Sequence, residues 1–460
     1  MKLAPTIRAA ALVTAVALLP VTTASLAAVE GRAGSQFGKL FAVYQRIKTS
    51  YVEPVEDDKL VRGAIDGMLA SLDPHSGYVE GSSLQRLNTL IDGNYQGLGI
   101  SIIGEDGGIK IISPMRGSPA EEAGLKAGDY ITHIDGKLIY GLEIDDAVAQ
   151  MRGPAGTSIR LTIIRPGRDE PFDTTVTRGV IELEPVTHEL QAGNVGVITV
   201  NEFSKDVGGD VYSSIKALEK EANGGLAGLV LDLRSNPGGS LDEAVALSDL
   251  FLSEGQIVSQ RGRTRDENMY FSADDMRNYP RMEPKQRRIF LGDVAKGLPI
   301  IVLIDAGSAS ASEIVAGALQ DQGRAVIMGE RSFGKGSVQS LLPLSRDSAI
   351  KLTTARYYTP SGRAVQEGGI EPDINVPQLS DPDAAVRAKY RYRESDLRGH
   401  LINEANLADK DFEKDRREDP RFTQTADELK AKGIEDFQLH YAMETLRRTS
   451  RPRIAASGAE

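Results

Sequence analysis

The sequence predicts a multidomain protein of the α/β class, in which helical regions and a β-rich segment adjoin an α/β core. Three segments differ in their residue pattern. Residues 35–93 carry helical periodicity, residues 94–178 are short β-rich runs punctuated by Gly and Pro, and residues 179–377 alternate apolar strands with helical stretches. Alternating strands and helices are typical of a layered α/β domain. Residues 378–460 are charged and predicted to be helical in part, with helical spacing at Phe437–Leu446.

The composition excludes several functions. The chain has 460 residues, with 54 Lys and Arg against 65 Asp and Glu, a formal net charge of −11. This length suits about two or three domains. The acidic balance argues against broad binding to nucleic acids or anionic membranes. Cysteine is absent, which excludes disulfides, thiolate nucleophiles and iron–sulfur clusters. The five histidines show no metal-ligand spacing, so we expect neither a metal nor another cofactor.

Residues 1–28 have the composition of a secretory signal peptide. Lys2 and Arg8 form a positive start, residues 9–21 are almost entirely apolar, and small residues follow. Such a run is too short to span a hydrocarbon core of about 30 Å comfortably. We therefore expect an exported protein, periplasmic or otherwise extracytoplasmic. The alternative is an uncleaved N-terminal anchor, which would leave the protein associated with the membrane.

The helical region at residues 35–93 contains apolar residues at helical spacing, followed by a break. The break is Asp73-Pro74-His75-Ser76-Gly77, whose Pro and Gly are typical of a turn. The residues with helical spacing are Phe37, Leu40, Phe41, Tyr44 and Ile47, and then Val61, Ile65, Met68, Leu69 and Leu72.

The β-rich segment contains a peptide-binding motif. Residues 117–136 read Gly-Ser-Pro-Ala-Glu-Glu-Ala-Gly-Leu-Lys-Ala-Gly-Asp-Tyr-Ile-Thr-His-Ile-Asp-Gly, and Gly97-Leu98-Gly99-Ile100 lies upstream. Backbone N–H groups of a Gly-rich loop can converge on a terminal carboxylate, and an exposed strand edge can pair with the peptide. A plain tight turn is the alternative for the two glycines. The segment resembles the PDZ domain of bacterial proteases, which implies that Gly97, Leu98, Gly99 and Ile100 bind the substrate carboxylate.

A serine motif follows one of the predicted strands. Gly307-Ser308-Ala309-Ser310-Ala311-Ser312-Glu313 comes after Ile300–Ile304 and opens an apolar helical run. Free N–H groups and the helix dipole at such a turn favour developing negative charge, which suits a nucleophile. Serine is also a preferred helix cap, so position alone leaves ordinary N-capping open.

A serine nucleophile needs a base, and no histidine stands in a supporting motif. Lys335 lies in a Gly-rich stretch, residues 329–337, after a predicted strand, and a neutral lysine can accept the serine proton if its pKa is lowered. Gln339 can orient the amine without adding charge. The same stretch begins like a phosphate-binding P-loop, but Gly336 stands where that motif needs Ser or Thr. We therefore do not expect nucleotide binding.

Together these motifs resemble those of the C-terminal processing (tail-specific) proteases, a Ser/Lys peptidase family with a PDZ domain. Residues 231–240, with their Asn-Pro-Gly-Gly turn, and residues 357–363 extend the match. The resemblance implies a crotonase-like α/β protease core with an inserted PDZ domain. It also implies Ser310 as nucleophile, Lys335 as general base and Gln339 as the residue that holds the lysine. The backbone N–H groups of Gly238 and Ala311 would form the oxyanion hole.

The function expected from these motifs is that of an exported serine endopeptidase, which recognises apolar C-terminal tails of proteins and cleaves nearby. Its partners would be protein or peptide substrates with a free C-terminus, with an adaptor or activator protein and a homo-oligomer as further possibilities, and no nucleic acid. Two alternatives belong to other classes. One is a non-catalytic PDZ adaptor, and the other is a crotonase-type hydrolase or isomerase acting on a small molecule.

Overall fold

The computed structural model describes residues 23–449 except for 93, 106–107, 116, 140, 143, 169, 183, 274–291, 382–392, 406–414 and 416–418. The chain divides into two compact units, residues up to Met68 and residues from Leu69 onward. Most of the predicted signal peptide and parts of the predicted C-terminal extension lie outside the described residues. Within the described part, no helix has both the length and the apolar character that a membrane span requires.

The first unit consists of helix α1 (Thr23–Ser50) and most of helix α2 (Asp57–Ala70). The helices predicted before Asp73 are thereby confirmed. Asp57, at the start of α2, accepts a hydrogen bond from the Tyr44 hydroxyl (2.7 Å) and pairs with the Lys48 ammonium (2.7 Å). Two residues of the apolar pattern of α1, Phe37 and Phe41, remain more than half exposed in this structure, whereas Tyr44 and Ile47 are partly buried.

A β-rich domain follows the first strands of the second unit. Its sheet has the strand order β3-β4-β5-β7-β8, with β6 paired to β5, and buries one apolar cluster. Strands β2 and β9 pair with each other and bring the two ends of this domain together. The elements are β1 (Gly77–Glu80), α3 (Gly81–Asp92), β2 (Asn94–Gly97), β3 (Ile100–Glu105), β4 (Gly108–Pro114), α4 (Pro119–Glu122), β5 (Tyr130–Ile134), β6 (Lys137–Leu138), α5 (Ile144–Met151), β7 (Ser158–Ile164), β8 (Phe172–Thr177) and β9 (Gly179–Glu182).

The core of the second unit is a six-stranded sheet with the strand order β10-β11-β12-β15-β16-β19. All neighbouring strands are parallel except β10, which is antiparallel to β11. The elements are β10 (Val186–Gln191), β11 (Val195–Val200), α6 (Val207–Glu221), β12 (Gly228–Asp232), α7 (Leu241–Asp249), β13 (Gln256–Gly262), β14 (Met269–Ser272), β15 (Ile300–Ile304), α8 (Ala311–Asp321), β16 (Val326–Gly329), β17 (Ser337–Pro343), β18 (Ser348–Tyr358), β19 (Ile374–Asn375), α9 (Ala426–Ala431) and α10 (Phe437–Thr449).

Helices cover both faces of this sheet, as its continuous apolar strands require. Alternate residues of a strand point to opposite faces. Leu229 and Leu231 of β12 therefore join the cluster with α6, α7 and α8, whereas Val230 joins the cluster with α9 and α10. The multidomain α/β class predicted from the sequence is confirmed.

A further sheet, not predicted from the sequence, lies within the same unit. Its strand order is β1-β18-β13-β14, and β17 forms an antiparallel hairpin with β18. A β-bulge between Val338 and Gln339 interrupts the register of that hairpin. The hairpin follows the lysine loop directly, so the sheet supports part of the predicted site.

The charged C-terminal segment contributes to the core. Helix α10, which contains the predicted helix Phe437–Leu446, buries Phe437, Ala442 and Leu446 against the six-stranded sheet. Asp436, just before α10, accepts hydrogen bonds from the guanidinium of Arg234 (3.0 and 2.6 Å). Arg234 precedes the Asn-Pro-Gly-Gly turn, so α10 helps to fix one wall of the candidate site.

Candidate active site

The three serines of the nucleophile motif differ in their hydrogen bonding. Ser308 is buried, and its hydroxyl donates to the carbonyl of Leu233 (2.7 Å). Ser312 is buried as well and donates to the carbonyl of Asn236 (2.9 Å). Ser310 is half-buried, and its hydroxyl makes no hydrogen bond with any residue that the structure describes. Of these three hydroxyls, that of Ser310 is the one available for chemistry.

Ser310 occupies the turn between β15 and α8 in an unusual backbone conformation. Its φ of 55° and ψ of −110° are values that L-residues seldom adopt and that cost about 1–3 kcal/mol. Its hydroxyl does not cap the helix. Instead, the Glu313 carboxylate accepts the Ser310 N–H at 2.7 Å. Ordinary N-capping by the serine side chain is therefore not the arrangement in this structure.

Glu313 connects the serine turn to the lysine loop. Its side chain is fully buried, and Oε2 accepts the backbone N–H groups of Ser310 (2.7 Å) and Lys335 (3.0 Å). Oε1 accepts the Ser332 hydroxyl (2.6 Å) and the Gly334 N–H (2.7 Å). Burial raises the pKa of Glu313 to about 7, although these hydrogen bonds act in the opposite direction. Because Ser310 N and Lys335 N both contact Oε2, they lie less than about 6 Å apart.

Tyr357 of β18 reinforces the same connection. Its hydroxyl lies 3.1 Å from the carbonyl oxygen of Ser310 and also contacts the carbonyl oxygen of Lys335. Burial, and secondarily the charge of Glu313, raises the pKa of Tyr357 well above its ordinary value, which keeps the hydroxyl protonated as a donor. The backbones that carry Ser310 and Lys335 are therefore held together by two buried side chains.

The environment of Lys335 favours its neutral form. Burial lowers the pKa of the Lys335 amine, and the positive charge of Lys351 lowers it further. Negative charges act against this shift without reversing it, in the order Glu394, Glu313 and Asp73. Like the Ser310 hydroxyl, the amine makes no hydrogen bond within the described part of the chain.

Close approach of backbone segments requires the glycines on both sides of Lys335. A Cβ on Gly334, whose φ is +96°, would lie 2.7 Å from the carbonyl oxygen of Glu367. A Cβ on Gly336 would lie 2.2 Å from the backbone nitrogen of Gln366. Real Cβ atoms do not make such contacts, so both positions have to be glycine for the loop to pack as it does.

Gln339 lies on β17 at the bulge. Its amide nitrogen donates to the hydroxyls of Ser337 (2.9 Å) and Thr353 (3.3 Å). No described residue donates to its amide oxygen. The side chain thus has a fixed donor end and an available acceptor end, close in sequence to Lys335.

The Asn-Pro-Gly-Gly turn lies directly against the serine turn. A Cβ on Gly238, whose φ is +101°, would lie 2.8 Å from Ser310 Cβ and 3.0 Å from Ala311 N. The structure therefore brings Gly238, Ser310 and Ala311 together. The two predicted oxyanion donors nevertheless differ. The Gly238 N–H donates to Asn236 Oδ1 (2.9 Å), whereas the Ala311 N–H has no acceptor among the described residues.

The predicted carboxylate-binding loop joins β2 to β3. Gly99 has a φ of +73°, and a Cβ there would lie 2.4 Å from Ser118 Cβ, so the close approach to Ser118 requires a glycine at this position. The loop also opens strand β3, which pairs only with β4 among the described strands. Ile100 and Ile102 of β3 are partly buried on the same cluster as Ala147 and Met151 of α5. An edge strand beside a helix is the arrangement by which such domains bind peptides.

Family comparisons agree with this architecture. The model of peptidase family S41 matches residues 194–376, a PDZ domain model matches residues 110–165, and the model of the activating protease CtpB N-terminal domain matches residues 19–83. The chain is 45% identical to a carboxy-terminal-processing protease of Bartonella bacilliformis over 80% of either chain. It is 35% identical to the carboxy-terminal processing protease CtpA of Bacillus subtilis, over 74% of this chain and 69% of the relative.

The chain belongs to the carboxy-terminal processing protease family. It is a serine protease of family S41 with a PDZ domain. The family predicted from the sequence is confirmed. Among solved structures, a photosystem II D1 C-terminal processing protease is similar, with 28% identity over 78% of this chain and 92% of that chain and a TM-score of 0.42.

Two residues that connect the serine turn to the lysine loop, Glu313 and Tyr357, were not predicted from the sequence. Glu313 was read only as the end of the serine motif, and Tyr357 only as part of a matching segment. A single glutamate that precedes an otherwise apolar helical run, residues 314–319, is the signal that could have indicated Glu313. A buried carboxylate needs several donors, and the neighbouring loops supply them.

Proposed function

We propose that this protease is exported, captures apolar C-terminal tails of proteins through its PDZ domain, and cleaves them nearby with Ser310 as nucleophile and Lys335 as general base. The main support for the proposal is that the backbones of Ser310 and Lys335 are both hydrogen-bonded to the side chains of Glu313 and Tyr357. Two further observations support it. The Ser310 hydroxyl has no described partner, and burial lowers the pKa of Lys335.

The reaction we propose is acyl transfer through two steps. Ser310 Oγ attacks the scissile carbonyl carbon while neutral Lys335 accepts the hydroxyl proton, and the carbonyl oxygen becomes an oxyanion. The C–N bond then breaks, and the departing amine takes the proton from Lys335. A water molecule attacks the resulting ester with Lys335 again as base, which releases the product acid and regenerates Ser310. Gln339 would hold the amine through its available amide oxygen.

Ala311 and Gly238 would stabilise the oxyanion through their backbone N–H groups. Ala311 is ready for this role because its N–H has no acceptor among the described residues. Gly238 would first have to release Asn236 Oδ1, which it contacts at 2.9 Å. An oxyanion accepts a stronger hydrogen bond than a neutral amide oxygen does, so bound substrate would favour that exchange.

Substrate capture would involve Gly97, Leu98, Gly99 and Ile100. In our proposal their backbone N–H groups bind the terminal carboxylate, and the substrate tail adds a strand to the free edge of β3. Export rests on the composition of residues 1–28, so the site of action would be periplasmic or otherwise extracytoplasmic, or membrane-associated if that segment is retained. An adaptor or activator protein, or a second copy of the chain, would act as a regulatory partner.

Cleavage of an unfolded reporter protein with an apolar C-terminal tail tests this function. Wild type should cut the reporter, and Ser310→Ala and Lys335→Ala should not. Amidation of the reporter's C-terminus, which removes the carboxylate, should reduce cleavage by raising KM. Tail binding without cleavage by any of the three proteins would favour the PDZ adaptor, and full activity of Ser310→Ala would refute the mechanism. Recovery of the mature protein in an extracytoplasmic fraction tests export.

A further inference from the structure

The turn that begins at Asp73 lies against strand β18, far from it in sequence. Asp73 is only 4% exposed, and its carboxylate accepts four hydrogen bonds. Three come from its own turn, namely the N–H groups of His75 and Ser76 and the Ser76 hydroxyl, each at 2.8 Å. The fourth comes from the Thr353 hydroxyl at 3.1 Å, across 280 residues of chain.

The charge on Asp73 fixes the direction of the next hydrogen bond. Burial alone would raise the pKa of Asp73, but the hydrogen bonds from Ser76, His75 and Thr353 outweigh it, and the pKa lies below the ordinary value. The carboxylate is therefore ionised near neutral pH and can only accept. Thr353 must then donate its single hydroxyl proton to Asp73, which leaves the Thr353 oxygen as an acceptor for its other two neighbours.

One of these neighbours is the Gln339 side chain, whose amide nitrogen lies 3.3 Å from Thr353 Oγ1. The other is the Ser76 hydroxyl, which donates to Asp73 at 2.8 Å and lies 3.4 Å from the same Thr353 oxygen. An amide can face a neighbour with either its nitrogen or its oxygen. Because the Thr353 oxygen has no further proton to donate, it can only accept a hydrogen bond from the amide nitrogen. Ser337 binds the same nitrogen at 2.9 Å. The amide oxygen of Gln339 is thereby turned to the opposite side of the group. Gln339 and Thr353 are register partners in the β17–β18 hairpin, and the adjacent bulge re-aims the side chain.

We propose that Asp73 is a positioning residue of the proteolytic machinery: through Thr353 it fixes the orientation of the Gln339 amide, so that the amide oxygen holds the amine of Lys335 toward Ser310. This inference rests on the proposed Ser/Lys mechanism and extends it to a chain of five side chains. A remote carboxylate here orients the residue that holds the base, as a third group orients the base in other hydrolases.

Asparagine at position 73 would remove the constraint while keeping the size of the side chain. Its amide oxygen can still accept N–H groups of the turn, but its NH₂ can donate to Thr353. The Thr353 proton is then free to point at Gln339, whose amide can turn over. A reversed amide presents NH₂ to Lys335, which disfavours the ammonium form and engages the lone pair that should accept the Ser310 proton.

The experiment compares wild type with Asp73→Asn and Thr353→Val, with Thr353→Ser as the conservative variant that keeps the hydroxyl. Thr354→Val is the matched control, because the adjacent Thr354 also uses its hydroxyl within the hairpin, with Ser340 at 2.7 Å, but its hydroxyl is not a hydrogen-bond partner of the Gln339 amide in the structure. Reporter cleavage gives kcat and KM as a function of pH. Competitive labelling of lysines, mapped by mass spectrometry, gives the pKa of Lys335 without any need for turnover.

Asp73→Asn and Thr353→Val should lower kcat about ten-fold or more with KM within about two-fold, the loss expected for one misoriented hydrogen bond. Thr353→Ser should recover most of the activity, and Thr354→Val should match wild type. The charged groups facing Lys335 are Lys351, Glu394, Glu313 and Asp73. Loss of the oriented amide, and for Asp73→Asn also of its negative charge, should shift the Lys335 pKa downward in both variants.

An unshifted Lys335 pKa in both variants would overturn the proposal, and so would equal losses of activity in Thr353→Val and Thr354→Val. A purely structural role would reduce the fraction of active enzyme in Asp73→Asn and leave the midpoint of the pH profile in place. If Ser310→Ala cleaves as well as wild type, the proposed function fails. The labelling result then still decides whether Asp73 orients Gln339 beside Lys335.

Discussion

Replacing Glu313 with glutamine keeps the shape of the side chain and removes one of its two acceptor oxygens. In wild type, one oxygen accepts the N–H groups of Ser310 and Lys335, and the other accepts Gly334 N–H and the Ser332 hydroxyl. The NH₂ of glutamine must face one of these pairs. The less costly arrangement places the NH₂ group next to Ser332 and Gly334, because the Ser332 hydroxyl can rotate and accept a hydrogen bond from it. One buried N–H then remains without an acceptor, at a cost of about 1–3 kcal/mol.

Glu313→Gln also removes a titratable group. The size of the resulting change in the pH dependence of stability follows from the pKa of Glu313. Burial raises the pKa of Glu313 from 4.5 to about 7. The folded protein therefore binds this proton more tightly than the unfolded chain. Its stabilising contribution is complete below pH 4.5 and is lost as the pH rises through 7. Between pH 5 and pH 8 the loss amounts to about 2–3 kcal/mol, and glutamine has no such dependence.

Urea unfolding of wild type and Glu313→Gln between pH 5 and pH 8 measures this effect. The free energy of unfolding of wild type, relative to the variant, should fall by about 2–3 kcal/mol across that range. Exposed Glu122 provides the control, since Glu122→Gln makes the same chemical change outside the core. A difference between wild type and Glu313→Gln that changes by less than about 0.5 kcal/mol would refute the reasoning from burial.

Three further predictions concern catalysis. Lys335→Arg should be as inactive as Lys335→Ala in reporter cleavage, because a guanidinium cannot act as a base near neutral pH; activity in the arginine variant would point to another base. The rate of the chemical step should rise with pH through the lowered pKa of Lys335, since the neutral amine is the reactive form, and a flat profile from about pH 6 to 9 would contradict this. Gly238→Ala should abolish cleavage, because its Cβ would lie 2.8 Å from Ser310 Cβ, whereas Gly362→Ala, with φ +82° but no atom within 4 Å, should keep it.

The parts of the fold that depend on local pattern could be predicted from the sequence. The strand Ile300–Ile304, which precedes the serine motif, has the predicted bounds. It is an apolar run bounded by turn residues, and such a signal lies within the element itself. The serine motif could be recognised for a similar reason, because it occupies the single turn between β15 and α8.

The parts that depend on distant contacts could not be predicted. Nothing local shows that Thr353 accepts the Gln339 amide, or that Asp73 reaches Thr353 across 280 residues. Helix α10 was predicted, but its packing on the sheet depends on partners such as Arg234, which lies 202 residues from Asp436. The sequence also gives no sign that the Gly238 N–H donates to the Asn236 side chain, because that hydrogen bond depends on the folded geometry of the turn.

In the proposed mechanism, Ser310 forms the acyl-enzyme with Lys335 as its base. The most direct test is intact-protein mass spectrometry after rapid mixing with an activated peptide ester, followed by mapping of the modified residue at several pH values. We expect acylation at Ser310 in wild type, none in Ser310→Ala, and strongly slowed acylation in Lys335→Ala. Acylation at Ser308, Ser312 or another residue, or a Lys335→Ala variant that acylates at the wild-type rate, would contradict this mechanism.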